Sequence, residues 1–171
     1  MTSLGAVRRI VTGHDDKALG NIQSDSHLRF EDIPGMPGAK AAAIWVTADG
    51  VPTNDNNRSE DGAERIVQGG LVQHNGTNVR CTDLAPGVAT PMHRTVSLDY
   101  NILVHGELIL SLDDGSEVHL KNPGDVVVIK GSMHAWRNPS ATEWARWTCV
   151  LVAAEPASVG GKFLEAEVKE A

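Results

Sequence analysis

In the stretch "PGVATPMHRTVSLDYNILVHGEL", residues 86–108, the residues His93, Thr95 and Asp99 are of types and spacing that suit chemistry. Side chains two apart in a strand point the same way, so His93 and Thr95 share a face. Asp99 comes back across the following bend and can reach the same volume. His134 belongs to a later strand, "HAWRNPS", whose alternation sends Trp136 toward that face. An imidazole titrates near neutral pH, so it can take or deliver a proton, and a nearby carboxylate fixes its tautomer and stabilises its charged form. Two imidazoles and a carboxylate with open positions are also the facial ligand set of non-haem iron, or a set that holds zinc with a water in the fourth place. Three readings stand open: a metal site, a site converted to metal-free acid/base chemistry, and a relic of the fold.

The elements that must position these groups read as strands. From residue 70 the chain runs through "GLVQHN", "NVRCTDLAPG", "YNILVHGELILSLDDG", "SEVHLKNPGDVVVIKG", "HAWRNPS" and "WARWTCVLVAA". Asp114-Gly115 predicts a hairpin, and Asn122 to Asp125 a second tight turn. Leu108, Leu110 and Leu112 alternate inward, while "VVVI" at 126–129 reads as buried on both faces. Short strands at this spacing predict a sandwich or barrel. Residues 1–69 read as an extension of loops and one or two strands packed on the main body, with "AAAIWVTA" the clearest strand. Segment 49–65 is long for a structureless loop and reads as either a lid or a mobile stretch. Residues 154–171 read as a tail, either mobile or a brief helix.

At 171 residues the chain is one domain by length. A formal charge of −7, with no basic stripe, argues against nucleic acid and anionic membrane as partners. The N-terminus lacks the apolar core of a signal peptide and no apolar run is long enough to span a bilayer, so the expected location is cytoplasmic. Cys81 and Cys149 form no CxxC pair and read as small buried hydrophobes. No GxGxxG, P-loop, GxSxG or HExxH is present, which leaves nucleotide, serine-hydrolase and zincin readings without support.

Two separated motifs over residues 70–153 resemble those of the cupin superfamily. Gly87, His93, Thr95, Asp99 and Gly106 meet the spacing of the first motif, with Thr95 replacing the second His and Asp99 replacing Glu. Gly124, Gly131, His134 and Asn138 match the second, without its Pro and with one gap a residue shorter. The resemblance implies an all-β fold, the double-stranded β-helix or jelly-roll barrel. It also implies that His93, Asp99 and His134 converge inside an apolar, tryptophan-lined hollow. These three are then the candidate catalytic residues and also the candidate ligands of one divalent metal (Fe, Zn, Mn or Ni). Thr95 cannot replace an imidazole as a ligand, and Asp99 is a methylene shorter than Glu, so the same trio is also read as a metal-free acid/base site. Thr95, Trp136 and, less directly, Trp45 are the candidate substrate contacts.

The function expected from the resemblance is a lyase of secondary metabolism. It would dehydrate, decarboxylate or isomerise a small oxygenated aromatic or polyketide-like compound. The alternatives are a non-haem iron dioxygenase using His93, Asp99 and His134, and a non-catalytic ligand-binding barrel. A homodimer is expected, through sheet packing or exchange of the N-terminal strand. Alternation points Arg94 away from the hollow, and no Lys or Arg at a cavity-facing motif position speaks for a highly charged substrate. Tyr100 faces opposite Asp99. Trp144 and Trp147 are assigned to the outer sheet or a dimer contact, His105 and His119 to the surface, and His14, His27 and His74 to loops or their edges. Asn138 is assigned to a turn.

Overall fold

The computed structural model describes residues 4–14, 16–17, 19–67 and 70–169. Among them, regular structure is entirely strand apart from two single-turn 3-10 helices, Asp55–Asn57 and Gly62–Glu64. In chain order the strands are β1 (Arg8–His14), β2 (Gly20–His27), β3 (Glu31–Asp32), β4 (Ala39–Thr47), β5 (Thr77–Leu84), β6 (His93–Arg94), β7 (Ser97–His105) and β8 (Leu108–Leu112). They continue with β9 (Glu117–Leu120), β10 (Val126–Lys130), β11 (His134–Arg137), β12 (Ala145–Ala153), β13 (Ala157–Val159), β14 (Lys162–Leu164) and β15 (Glu167–Val168).

Alternation builds two facing antiparallel sheets. In β7, Ser97, Asp99, Asn101 and Leu103 are buried while the residues between them are not. In β12, Trp147, Cys149 and Leu151 follow the same period. One sheet has the order β10-β7-β12-β5-β4-β3 and the other β15-β6-β11-β8-β9. Leu103 and Ile129 of the first sheet pack with Leu108, Leu110 and Leu120 of the second, which closes the sandwich. The expected hairpin forms at Gly115, with Asp114 accepting the Ser116 amide at 2.8 Å. The Asn122–Asp125 turn is held by Asp125, whose Oδ2 accepts the amides of Lys121 and Asn122, both at 2.9 Å. Gly106, between β7 and β8, has φ 73° and no room for a Cβ, which would lie 2.6 Å from the Trp144 carbonyl oxygen.

The structure departs from the sequence reading in four places. "GLVQHN" is a run of turns, because β5 starts only at Thr77. Val126 and Val128 are exposed, since β10 is the edge strand of its sheet and its outer face is uncovered. The boundary at 69/70 divides a continuous sheet: β3 and β4 extend the same sheet as β5, and β4 pairs with β5 along its length. The C-terminal segment is neither helix nor free tail. It forms the β13–β14 hairpin, and β15 pairs with β6, Val168 opposite His93.

Segment 49–65 is pinned down against β4. The Trp45 indole donates to Asp55 at 2.7 Å, Arg65 reaches Asp55 at 2.9 Å and the Val46 carbonyl at 2.6 Å, and Arg9 of β1 pairs with Asp61. The Arg65 guanidinium lies 5.7 Å from the Trp45 ring centroid, and Gly62 packs so closely on the indole that a Cβ would overlap it. None of these residues reaches the hollow between the sheets. On the outer face of the large sheet, Arg146 and Asp83 stand opposite each other and form a buried bidentate pair at 2.6 Å. The Gly5 carbonyl and the Phe30 ring cover it.

Candidate active site

The sheets part on one side around a cavity of about 830 Å³. Its walls include Leu84, Leu151, Trp136 and Trp147, which also belong to the core, and β15 runs along its edge. His93 and His134 are register partners across the β6–β11 pair. Their side chains therefore leave the sheet on one face, and the rings lie tilted at 47° with centroids 4.3 Å apart. Both are set by the same local device. In "PMH" and "SMH" the imidazole Nδ1 donates to the carbonyl two residues earlier, Pro91 and Ser132 respectively, at 2.9 Å in each case. That bond sets the orientation of each ring, and in a neutral imidazole it leaves Nε2 as the lone-pair nitrogen. Trp136 meets His134 edge-on at 6.1 Å and continues to Trp147 at 6.0 Å, which gives the cavity an aromatic wall.

Burial, followed by the charge of His93, lowers the His134 pKa to about 4, so this ring is neutral at pH 7. Asp99 is 4% exposed, and burial raises its pKa against the opposing pull of Ser97, Thr95 and His93. The Thr95 hydroxyl donates to Asp99 Oδ2 at 3.2 Å, and Ser97 in turn donates to Thr95 at 2.9 Å. Asp99 Oδ1 is buried with no partner among the described residues. The cavity thus holds a neutral imidazole and a carboxyl pushed toward its protonated form.

His93, Thr95, Asp99, His134 and Trp136 all line the cavity. The three-ligand metal set does not assemble. Among the described residues no three His, Cys, Asp or Glu side chains come together closely enough to hold an ion. The two imidazoles meet, while the Asp99 carboxyl is held through Oδ2 by Thr95, the residue standing at the motif position of a further imidazole. Trp45 is absent from the cavity, being held by Asp55 on the far side of β4. Arg94 does line it, because β15 draws the guanidinium inward to Glu167 at 3.6 Å. Trp147 lies inward instead of on the outer sheet. His74 is at the rim, and Asn138 holds its turn by accepting the Ser140 amide at 3.0 Å.

Sequence reasoning missed Arg80 and Asn101. Arg80 stands opposite Cys149, and Cys149 stands opposite Asn101, so the three form one row across β5, β12 and β7. All three face the cavity. Asn101 follows Asp99 by two residues, and that period was available to find it. Arg80 had no such signal, because its inward direction depends on a register set by strands distant in sequence.

Known proteins resemble the chain along most of its length. It is 34% identical over 158 residues to phomopsin biosynthesis cluster protein D of Diaporthe leptostromiformis, covering 91% of this chain and 83% of that one. It is 31% identical over 167 residues to a cupin-domain-containing oxidoreductase of Aspergillus ruber, covering 96% and 81%. Among solved structures, the polyketide cyclase RemF of Streptomyces resistomycificus superposes with a TM-score of 0.51 at 18% identity, over 72% of each chain, a likeness of fold. No protein-family model matches the chain.

Proposed function

The chain belongs to the cupin superfamily, and within it we propose a small-molecule enzyme of secondary metabolism that moves protons on an oxygenated, largely apolar substrate. The reading is a lyase or isomerase. His134, neutral and with a free Nε2, removes the acidic proton beside a carbonyl, with the His93 ring 4.3 Å away on the same wall. Asp99, held by Thr95 and driven toward its acid form, delivers a proton to the leaving hydroxyl. The imidazole gains a proton from carbon and the carboxyl gives one to the departing hydroxyl, so the substrate loses water with no oxidant consumed. The observation that carries this reading is the adjacent imidazole pair, His134 with its free Nε2, on an aromatic-walled cavity that also holds a desolvated carboxyl.

The test uses β-hydroxy ketone and 1,3-diketone probes in D2O, with NMR following deuterium uptake at the central carbon and mass spectrometry following loss of water. The expected result is exchange that persists in chelator and falls by about 10²–10⁴-fold in His134→Gln. No acceleration over buffer, or acceleration that disappears with chelator, would overturn the reading.

A second reading, oxidoreductase, is favoured by the printed names of relatives such as the Aspergillus ruber protein. It predicts products lighter by two hydrogens, or heavier by oxygen, and consumption of an electron acceptor. Metal analysis of protein purified without chelator separates its metal-dependent form, in which a stoichiometric ion is lost in His93→Ala.

A further inference from the structure

Resting on the reading that the cavity receives a small molecule, we propose that this molecule carries a carboxylate, which is received by Arg80 and Asn101 on the floor of the cavity. Arg80 lies in the cavity wall, and among the described residues it has neither hydrogen bond nor ion pair. Burial holds its guanidinium below its ordinary range, with only the neighbouring Cys149 opposing. A desolvated cation without a counterion is costly, and an incoming anion relieves that cost. Asn101 is 4% exposed, and its Nδ2 is a buried donor with no acceptor.

The two donors flank a small residue. Arg80 and Asn101 sit on strands either side of β12, so their Cα atoms are about 10 Å apart, with Cys149 between them. Cys149 is too short to fill that gap, and burial pushes its thiol up to about 12, so it brings no competing negative charge. One carboxylate fits there, with an oxygen for each donor. Leu151, Trp136 and Trp147 provide an apolar surface for the rest of the ligand. The other acidic groups on the cavity do not take this place. Glu167 is paired with Arg94, Glu165 sits on the C-terminal segment, and Asp99 is engaged by Thr95.

The seat also sets where chemistry falls on the ligand. Asp99 and Asn101 are two residues apart on β7, a rise of about 7 Å. A carboxylate held by Asn101 therefore places atoms a few bonds away beside Asp99. The sequence expectation concerned cations at cavity-facing motif positions; Arg80 lies outside both motifs and lines the cavity.

Calorimetric titration of the full chain with 2-naphthoate and 2-naphthamide tests the proposal. These probes share shape and differ in charge. The wild type is expected to bind naphthoate about tenfold or more tightly than naphthamide. Arg80→Gln removes that preference while leaving naphthamide affinity in place, and Arg94→Gln, at the cavity edge, retains it. Equal affinity for the two probes, failure of both to bind, or a preference that survives Arg80→Gln would overturn it. If Arg80→Gln cannot be purified folded, Asn101→Leu takes its role, with a reduced preference expected and an unchanged one counting against. Turnover is not measured, so charge preference without proton transfer would defeat the catalytic reading alone. Proton transfer without charge preference would defeat this inference alone.

Discussion

Two groups of polar residues in this chain settle the cost of burial in opposite ways. Outside the cavity, guanidinium and carboxylate meet in Arg146 with Asp83 and Arg65 with Asp55. Asp55 even takes the Trp45 indole as a further donor. Inside the cavity the same kinds of group are left incomplete. Arg80 has no counterion among the described residues, Asp99 Oδ1 and Asn101 Nδ2 have no partners, and His134 is kept neutral by burial. Buried polar groups are nearly always hydrogen-bonded, so a cluster of exceptions on one cavity marks groups reserved for something that enters it. The contrast separates residues that hold the fold from residues that act.

The largest expected effect lies on the acting side. His134→Gln should lower proton-transfer activity by about 10²–10⁴-fold while leaving the unfolding midpoint near that of the wild type. A variant that loses both together would place His134 with the holding residues. The holding side is tested by Asp83→Ala. It strands Arg146 in a buried position and should cost about 3–5 kcal/mol of stability in denaturant titration. Any remaining folded fraction should show ordinary probe affinity in the cavity, because the pair lies on the outer face of the sheet. Loss of cavity binding in the folded fraction would mean that the two regions are not separable.

The pH dependence of stability sharpens the same division. The folded-state pKa of His134 lies near 4, below its unfolded value of about 6.5, so the unfolded chain takes the proton first. Stability is therefore full above about pH 6.5 and declines as pH falls toward 4, by about 3 kcal/mol from this residue. Asp99 has the opposite sign. Its folded pKa is raised, so it favours the folded state at low pH and loses that contribution as pH rises from the ordinary carboxylate range through the raised value. Urea titrations between pH 4 and 7 should show a smaller acid loss in His134→Gln. An unchanged slope would place the acid sensitivity elsewhere.

The sequence carried the fold and part of the site for identifiable reasons. Period-two alternation and the Asp114-Gly115 turn are local signals, and they located β7, β8 and β9. Motif spacing located His93, Thr95, Asp99 and His134, which all line one cavity. What failed was whatever depends on pairing between distant strands. Arg94 turns inward because β15 pairs with β6, and nothing near Arg94 announces that strand. Trp147 was assigned outward and Trp45 inward, although both lie in apolar runs. Their directions follow from which neighbours cover each face of the large sheet. Spacing also conceals a local contact: Thr95, at the motif position of the second His, holds Asp99 through Oδ2.

The smallest expected effect probes the comparison most directly. Asn101→Leu removes a buried donor that has no acceptor and replaces it with an apolar group of similar size. If the cavity residues are incomplete because they await a ligand, this change should leave the empty protein as stable as the wild type or raise its stability by about 1 kcal/mol. The same change should weaken carboxylate binding. Truncating a polar residue that holds the fold should have the reverse sign, since it breaks a bond already made. Thermal unfolding with and without 2-naphthoate reads both quantities in one experiment, because a ligand that binds only the folded state raises the midpoint with its concentration. A destabilised empty Asn101→Leu protein would show that the amide is already satisfied in the free chain. It would then belong with Asp55 and Asp83 instead of with Arg80.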